Sequence, residues 1–156
     1  MSMLLHNASS WQRGVATIEF AICAPVLLLL MLATAEVGRM LIQYNTLNKA
    51  VRDGARYVVR EAAAGSTGTV AITTAVRNNT RNLVVTGTMA GTGTALLPGL
   101  TVGNVTVTDA GAGFVAVSAT YTYQPILGAA LPTFGSRGAI STNVPLTATV
   151  VMRALL

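Results

Sequence analysis

Sixteen consecutive residues, Phe20 to Ala35 (FAICAPVLLLLMLATA), carry no charge. Counting from Val15 gives 21 positions interrupted only by Glu19. At about 1.5 Å per residue such a helix crosses a hydrocarbon core of about 30 Å, for which about 20 apolar residues are needed. The chain as a whole has 156 residues, is 52% hydrophobic and is 10% charged. Soluble domains are about 25% charged, and much of the apolar excess here lies in this one run. A chain with such a run must bury it, embed it in lipid or have it removed.

Three kinds of segment fit the run. A secretory signal would use Arg13 as its positive flank, VLLLLMLATA as its core and Ala33-Thr34-Ala35 as a small-x-small cleavage site, with release after Ala35. Glu19 and Pro25 are unusual in such a signal, and helical patterning continues straight through that site. A plain membrane anchor explains the length but leaves Glu19, which costs about 2.5–3.5 kcal/mol at a helix centre and less near the interface, where it snorkels. A cut after Gly14 accounts for the remaining features. Val15 then bears a terminal amine, and Glu19 becomes the fifth residue of the mature chain, followed by Phe20. Glycine before the cut admits close approach of a protease, since it has no Cβ. In a bundle of such helices the Glu19 carboxylate of one copy can face the Val15 amine of the next. Breaking a buried pair of that kind costs about 3–5 kcal/mol. These features, with the short leader Met1 to Gly14, resemble those of type IV prepilins and pseudopilins.

Beyond Glu36 the apolar residues become periodic. Val37, Met40, Leu41, Tyr44, Leu47, Val51, Ala55 and Val58 recur at spacings of three and four, one stripe of a helix. Lys49, Arg52, Arg56 and Arg60 form a second stripe on another face, with Asp53 as a local counter-charge. The spacing predicts one helix to about residue 62, broken by AAAGSTG. Lys49 lies fourteen residues past Ala35, about 21 Å along a helix. That is beyond most of the headgroup layer, so a solvated face or an acidic protein partner suits the stripe better than lipid.

The whole segment from Arg13 to Arg60 resembles the TadE-like family, pseudopilins of the tight-adherence (Tad) pilus. The resemblance rests on Glu19-Phe20, on Pro25 with Leu27 to Leu30, on Glu36-Val37-Gly38-Arg39 and on Asp53-Gly54-Ala55-Arg56. It implies a minor pilin-like subunit of a type IVb pilus, with residues 1–14 as leader, 15–62 as membrane and amphipathic helix and 63–156 as a small periplasmic domain. Cleavage by a prepilin peptidase between Gly14 and Val15 is implied, as are assembly and register roles for Glu19 and Phe20. Implied partners are the peptidase, other Tad pseudopilins, the major pilin, the inner-membrane assembly platform and the lipid bilayer. The implied location is the bacterial inner membrane, single-pass, with a cytoplasmic amino end and a periplasmic domain. Charge alone favours the reverse topology, because only Arg13 precedes the span while five basic residues lie between Arg39 and Arg60. A type II secretion pseudopilin would share the same assembly chemistry.

The carboxyl-terminal half predicts an α+β domain. TVAITTAVRNNTRNL reads as a second helix with Ile72, Val76 and Leu83 on one face. TGTMAGTGTALLPGLTVG reads as a mobile surface loop. NVTVT, FVAVSATYTY and VPLTATVVM alternate as strands, with Val105 and Val107, then Val115, Val117, Ala119, Tyr121 and Tyr123, then Val144, Leu146, Ala148 and Val150 on their apolar faces. Asp109 to Gly113 suits a hairpin turn that pairs the first two antiparallel. QPILGAALPTFGSRGA, with its Gly and Pro residues, is expected to be irregular.

Catalysis is not expected. The one histidine, His6, lies in the leader segment, the five acids are scattered, and no cluster has metal-ligand spacing. Serines lack a histidine partner downstream, and no cofactor or metal motif is present. The net charge of +5 comes from thinly spread basic residues with 5% aromatics, so nucleic acid is not an expected partner. Cys23, the single cysteine, sits in the apolar run as a small hydrophobe.

Overall fold

A computed structural model describes residues 9–62, 70–126, 128, 130–131, 140–141 and 143–154. The rest of the leader segment with His6, the AAAGSTG break from residue 63, and most of QPILGAALPTFGSRGA lie outside the described residues. The chain divides into two compact units at Gly38/Arg39.

The long helix α1, Ser9–Glu61, contains the whole apolar run, with Pro25 inside it. Apolar residues from Val15 to Leu32 point away from protein. The best 18-residue window has a mean hydropathy of 2.4 and none of it is buried. Polar groups on this stretch are satisfied locally where they can be. Thr34 Oγ1 donates to the Met31 carbonyl at 2.8 Å, the back-bond that lets a hydroxyl sit in an apolar helix. The first unit therefore holds a candidate membrane span.

The second unit is α+β. Helix α2, Thr74–Thr86, begins at Thr73, whose hydroxyl accepts from Val76 N, and ends at Gly87 in the left-handed region (φ 76°), whose N–H bonds Leu83 O. The predicted helix was placed a few residues early: Ile72 precedes it, although it still packs on the core. Thr80, Val84 and Val85 join Val76 on the buried face. Thr80 fits there because its hydroxyl donates to Val76 O at 2.6 Å.

Three strands follow, β1 Val105–Gly111, β2 Phe114–Thr122 and, later in the chain, β5 Pro145–Arg153. They form an antiparallel sheet in the order β1-β2-β5. The predicted apolar face of β2 is fully buried: Val115, Val117, Ala119 and Tyr121, continued by Tyr123. A short ribbon pairs β3, Ala130–Leu131, inside the segment expected to be irregular, with β4, Ile140–Ser141, just after it. The hairpin turn is tighter than predicted. Asp109 stays in β1, accepting from Gly111 N at 2.8 Å, and the register shifts between Asp109 and Gly111.

The core of this unit lies between the sheet, α2 and the carboxyl-terminal part of α1, which contributes Leu47, Ala50, Val51, Ala55, Val58 and Ala62. Two expectations are corrected here. The apolar stripe of α1 divides: Leu47, Val51, Ala55 and Val58 are buried and Met40 is half-buried, but Val37, Leu41 and Tyr44 are exposed. The core-facing side is set by small residues, Ala50, Gly54 and Ala62, as much as by large ones. The Gly/Thr-rich connection is likewise not a wholly surface loop. Leu97 and Leu100 are buried, Leu96 N bonds Val85 O at 2.7 Å, and a 3-10 turn at Val102–Asn104 leads into β1.

Candidate functional site

Gly14, Val15, Glu19 and Phe20 lie on consecutive turns of α1. Val15 and Glu19 are four residues apart and so share a helix face. All four are exposed, and a Cβ built at Gly14 would meet nothing within 4 Å. Glycine costs a helix about 1 kcal/mol relative to alanine, so the turn at Gly14 is cheaper to open than an alanine turn would be. Glu19 has no ion-pair partner among the described residues. Its carboxylate thus stands exposed on an apolar stretch of α1.

The basic stripe, Lys49, Arg52, Arg56 and Arg60, is exposed throughout on the second unit. Arg56 Nη1 lies 3.8 Å from Asp53 Oδ1, with both side chains more than half exposed, a contact worth at most about 1 kcal/mol. Arg56 and Arg60 border an open groove that also contains Asp53, Glu61, Tyr57, Asn79 and Met89. Asn79 Nδ2 donates to Tyr57 Oη at 3.1 Å across it. The groove is therefore mixed in charge, while Lys49 and Arg52 lie outside it.

Two features were not apparent from the sequence. One is the packing of Gly54 against α2, where an added Cβ would lie 2.6 Å from Val84 Cγ2. The only signal for it was the small residue itself in a helix interior. The other is a set of buried polar atoms without hydrogen-bond partners among the described residues: Arg39 Nη1, Gln43 Oε1 and Tyr121 Oη. Arg39 and Gln43 are one helical turn apart. Burial pushes the Tyr121 phenol above its usual value of 10.0, and the positive charge of Arg39 and the nearby Gln124 backbone pull it partly back. Among the described residues, no hydrogen bond of ordinary geometry reaches that phenol oxygen.

Among the described residues there is no group of three or more His, Cys, Asp or Glu side chains placed to hold a metal ion. Cys23 is exposed on the span.

No curated protein and no solved structure matches this chain. A family model described as TadE-like protein matches residues 14–56. The match opens on Gly14, takes in Glu19-Phe20 and Glu36 to Arg39, and closes on the Asp53-Gly54-Ala55-Arg56 segment whose glycine packs against α2. Over residues 14–56, the candidate span and the helix that leads into the packed domain, this chain is thus similar to the TadE-like family.

Proposed function

We propose that the protein is a minor pilin-like subunit, a pseudopilin, of a Tad-type (type IVb) pilus. A prepilin peptidase cuts between Gly14 and Val15. The helix from Val15 holds the mature subunit in the bacterial inner membrane with its amine at the cytoplasmic side, and the α+β unit stands in the periplasm. Other pseudopilins, the major pilin and the assembly platform are its partners, and packing of apolar helices brings them together. The basic stripe Lys49, Arg52, Arg56 and Arg60 is open to an acidic partner in that assembly.

The observation that carries this proposal is Glu19: one carboxylate on an exposed apolar helix, one turn after the residue that cleavage would turn into an amine. A neighbour's Val15 amine supplies the missing counter-charge and sets the axial register of two helices. Lipid alone supplies neither. The TadE-like match over residues 14–56 favours a Tad pilus over a type II secretion machine. Release after Ala35 is disfavoured by α1, which runs unbroken through Ala33-Thr34-Ala35 with Thr34 tied to its own helix.

The test is the mass and amino-terminal sequence of the protein recovered from membranes. A terminus at Val15 is expected. A terminus at Glu36 would replace the pilus subunit with a secreted protein.

A further inference from the structure

The three-stranded sheet has two edges, and they are built differently. At β1 the edge is capped at one end and bent at the other. Arg81 Nε donates to the Val105 carbonyl at 3.1 Å, and the irregularity between Asp109 and Gly111 bends the far end. At β5 nothing comparable is present among the described residues. Among the described residues, β5 pairs with β2 alone.

Proteins commonly blunt an edge of this kind with lysines, prolines, bulges or a short strand. β5 is nine residues long, and Pro145 and Arg153 stand at its two ends. Between them, LTATVVM has no charge, no proline and no glycine. The core face points the same way. On the central strand Val115, Val117, Ala119 and Tyr121 are almost completely buried. On β5 the corresponding residues Leu146, Val150 and Met152 are only half-buried, and Ala148 alone is covered. Among the described residues, the sheet therefore ends one strand before its apolar face does, and its last strand leaves the backbone groups of its outer edge unpaired.

We infer that β5 is an interaction edge that pairs antiparallel with β5 of a second copy of this chain. The sequence of the strand is self-complementary in that arrangement. Opposed residues of an antiparallel pair share a face, so a two-fold axis must pass through a residue position. Full overlap of Pro145–Arg153 places it at Thr149. Leu146 then faces Met152 of the second copy, and Ala148 faces Val150, which completes the half-buried face. Thr147 faces Val151 and Thr149 faces Thr149 on the outer side. Arg153 meets Pro145, so no like charges are opposed. Pairing β5 with β1 of the next copy would instead displace the Arg81 contact. Self-pairing needs no cleavage at Gly14, so it stands or falls separately from the processing proposed above.

Disulfide trapping in the full-length protein in its native membrane tests the register. The background is Cys23→Ser, which removes the one native thiol. Thr149→Cys changes an exposed position and gives up only the 2.8 Å hydroxyl contact with Ser118. In the inferred pair its Cβ atoms lie about 4.5–5.5 Å apart, near disulfide reach. Thr147→Cys alone would face its copy four residues out of register, about 13 Å away, and should not cross-link. Two differently tagged copies, one with Thr147→Cys and one with Val151→Cys, should join to each other. The expected result is several-fold more disulfide dimer from Thr149→Cys and from the mixed Thr147→Cys/Val151→Cys pair than from Thr147→Cys alone. Equal yields from all three, no dimer from any, or cross-links only to a different protein would each overturn the self-pairing of β5.

Discussion

Gly54 of α1 lies so close to Val84 of α2 that a Cβ at residue 54 would stand 2.6 Å from Val84 Cγ2 and 3.3 Å from Thr80 Cγ2. Val84 and Thr80 are both fully buried, so neither has room to retreat. Gly54→Ala gains about 1 kcal/mol of helix propensity and meets an overpacking cost of about 1–3 kcal/mol. A net loss of stability is expected, larger for Gly54→Val. Gly38 supplies the contrast, since a Cβ there meets nothing within 4 Å. Gly38→Ala should be neutral or stabilising. Thermal unfolding of the full chain in detergent, followed by circular dichroism, separates the two. A higher midpoint for Gly54→Ala would show that the helices do not approach this closely.

Glu19→Gln keeps the shape of the side chain and removes its charge. If Glu19 pairs with a neighbour's Val15 amine, the variant should insert and be processed yet cross-link poorly to its partners and support several-fold fewer pili. The amine left unpaired is the cause, and about 1.4 kcal/mol already makes a tenfold difference. Pilus counts and partner cross-linking, with processing checked by mass, give the answer. Wild-type piliation would leave Glu19 as an interfacial acid without a pairing role.

Gly14→Val places a branched side chain where a peptidase must approach the backbone. Uncleaved precursor is expected to accumulate in the membrane. Recovery of the normal mature mass from this variant would move the cut to another position.

Tyr121 offers a pH test. Its phenol is held above 10.0 mainly by burial, so the folded state keeps a proton that the unfolded state gives up. The associated stability is fully present below about 10 and is lost as pH rises past that value toward the higher folded pKa. Tyr121→Phe removes this dependence. It also removes a buried hydroxyl without a hydrogen-bond partner among the described residues, so at neutral pH it should be neutral or stabilising by up to about 1–3 kcal/mol. Denaturant midpoints of the two proteins at pH 7 and pH 11 check both signs. A destabilising Tyr121→Phe at pH 7 would mean that the hydroxyl has a partner.

Arg56→Ala should change stability by less than about 1 kcal/mol, because its pairing with Asp53 is solvent-exposed. Chemical denaturation is the measurement, and a larger loss would mean that the groove beside Tyr57 depends on Arg56 for its shape.

The amino-acid sequence by itself determined the elements whose signals are local. An uncharged run from Phe20 to Ala35 is a candidate span wherever it occurs, because hydropathy and length decide that. The period-two alternation from Val115 to Tyr123 placed one face of β2 inward without knowledge of its neighbours. The TadE-like motifs were also legible, since they are patterns along one helix. What the tertiary structure decided depends on which surfaces meet. The sequence presented Val37, Leu41, Tyr44, Leu47 and Val51 as one stripe, but only the residues beyond Met40 that face α2 and the sheet are buried. The Gly/Thr-rich connection showed no periodicity, so the burial of Leu97 and Leu100 in the core came only from tertiary packing. Gly54 carries no side chain to signal a contact, and its importance lies in the space it leaves for Val84. Whether a strand is central or at an edge is likewise invisible in its own residues. β2 and β5 both alternate, and only the strand order β1-β2-β5 leaves the second of them half-covered.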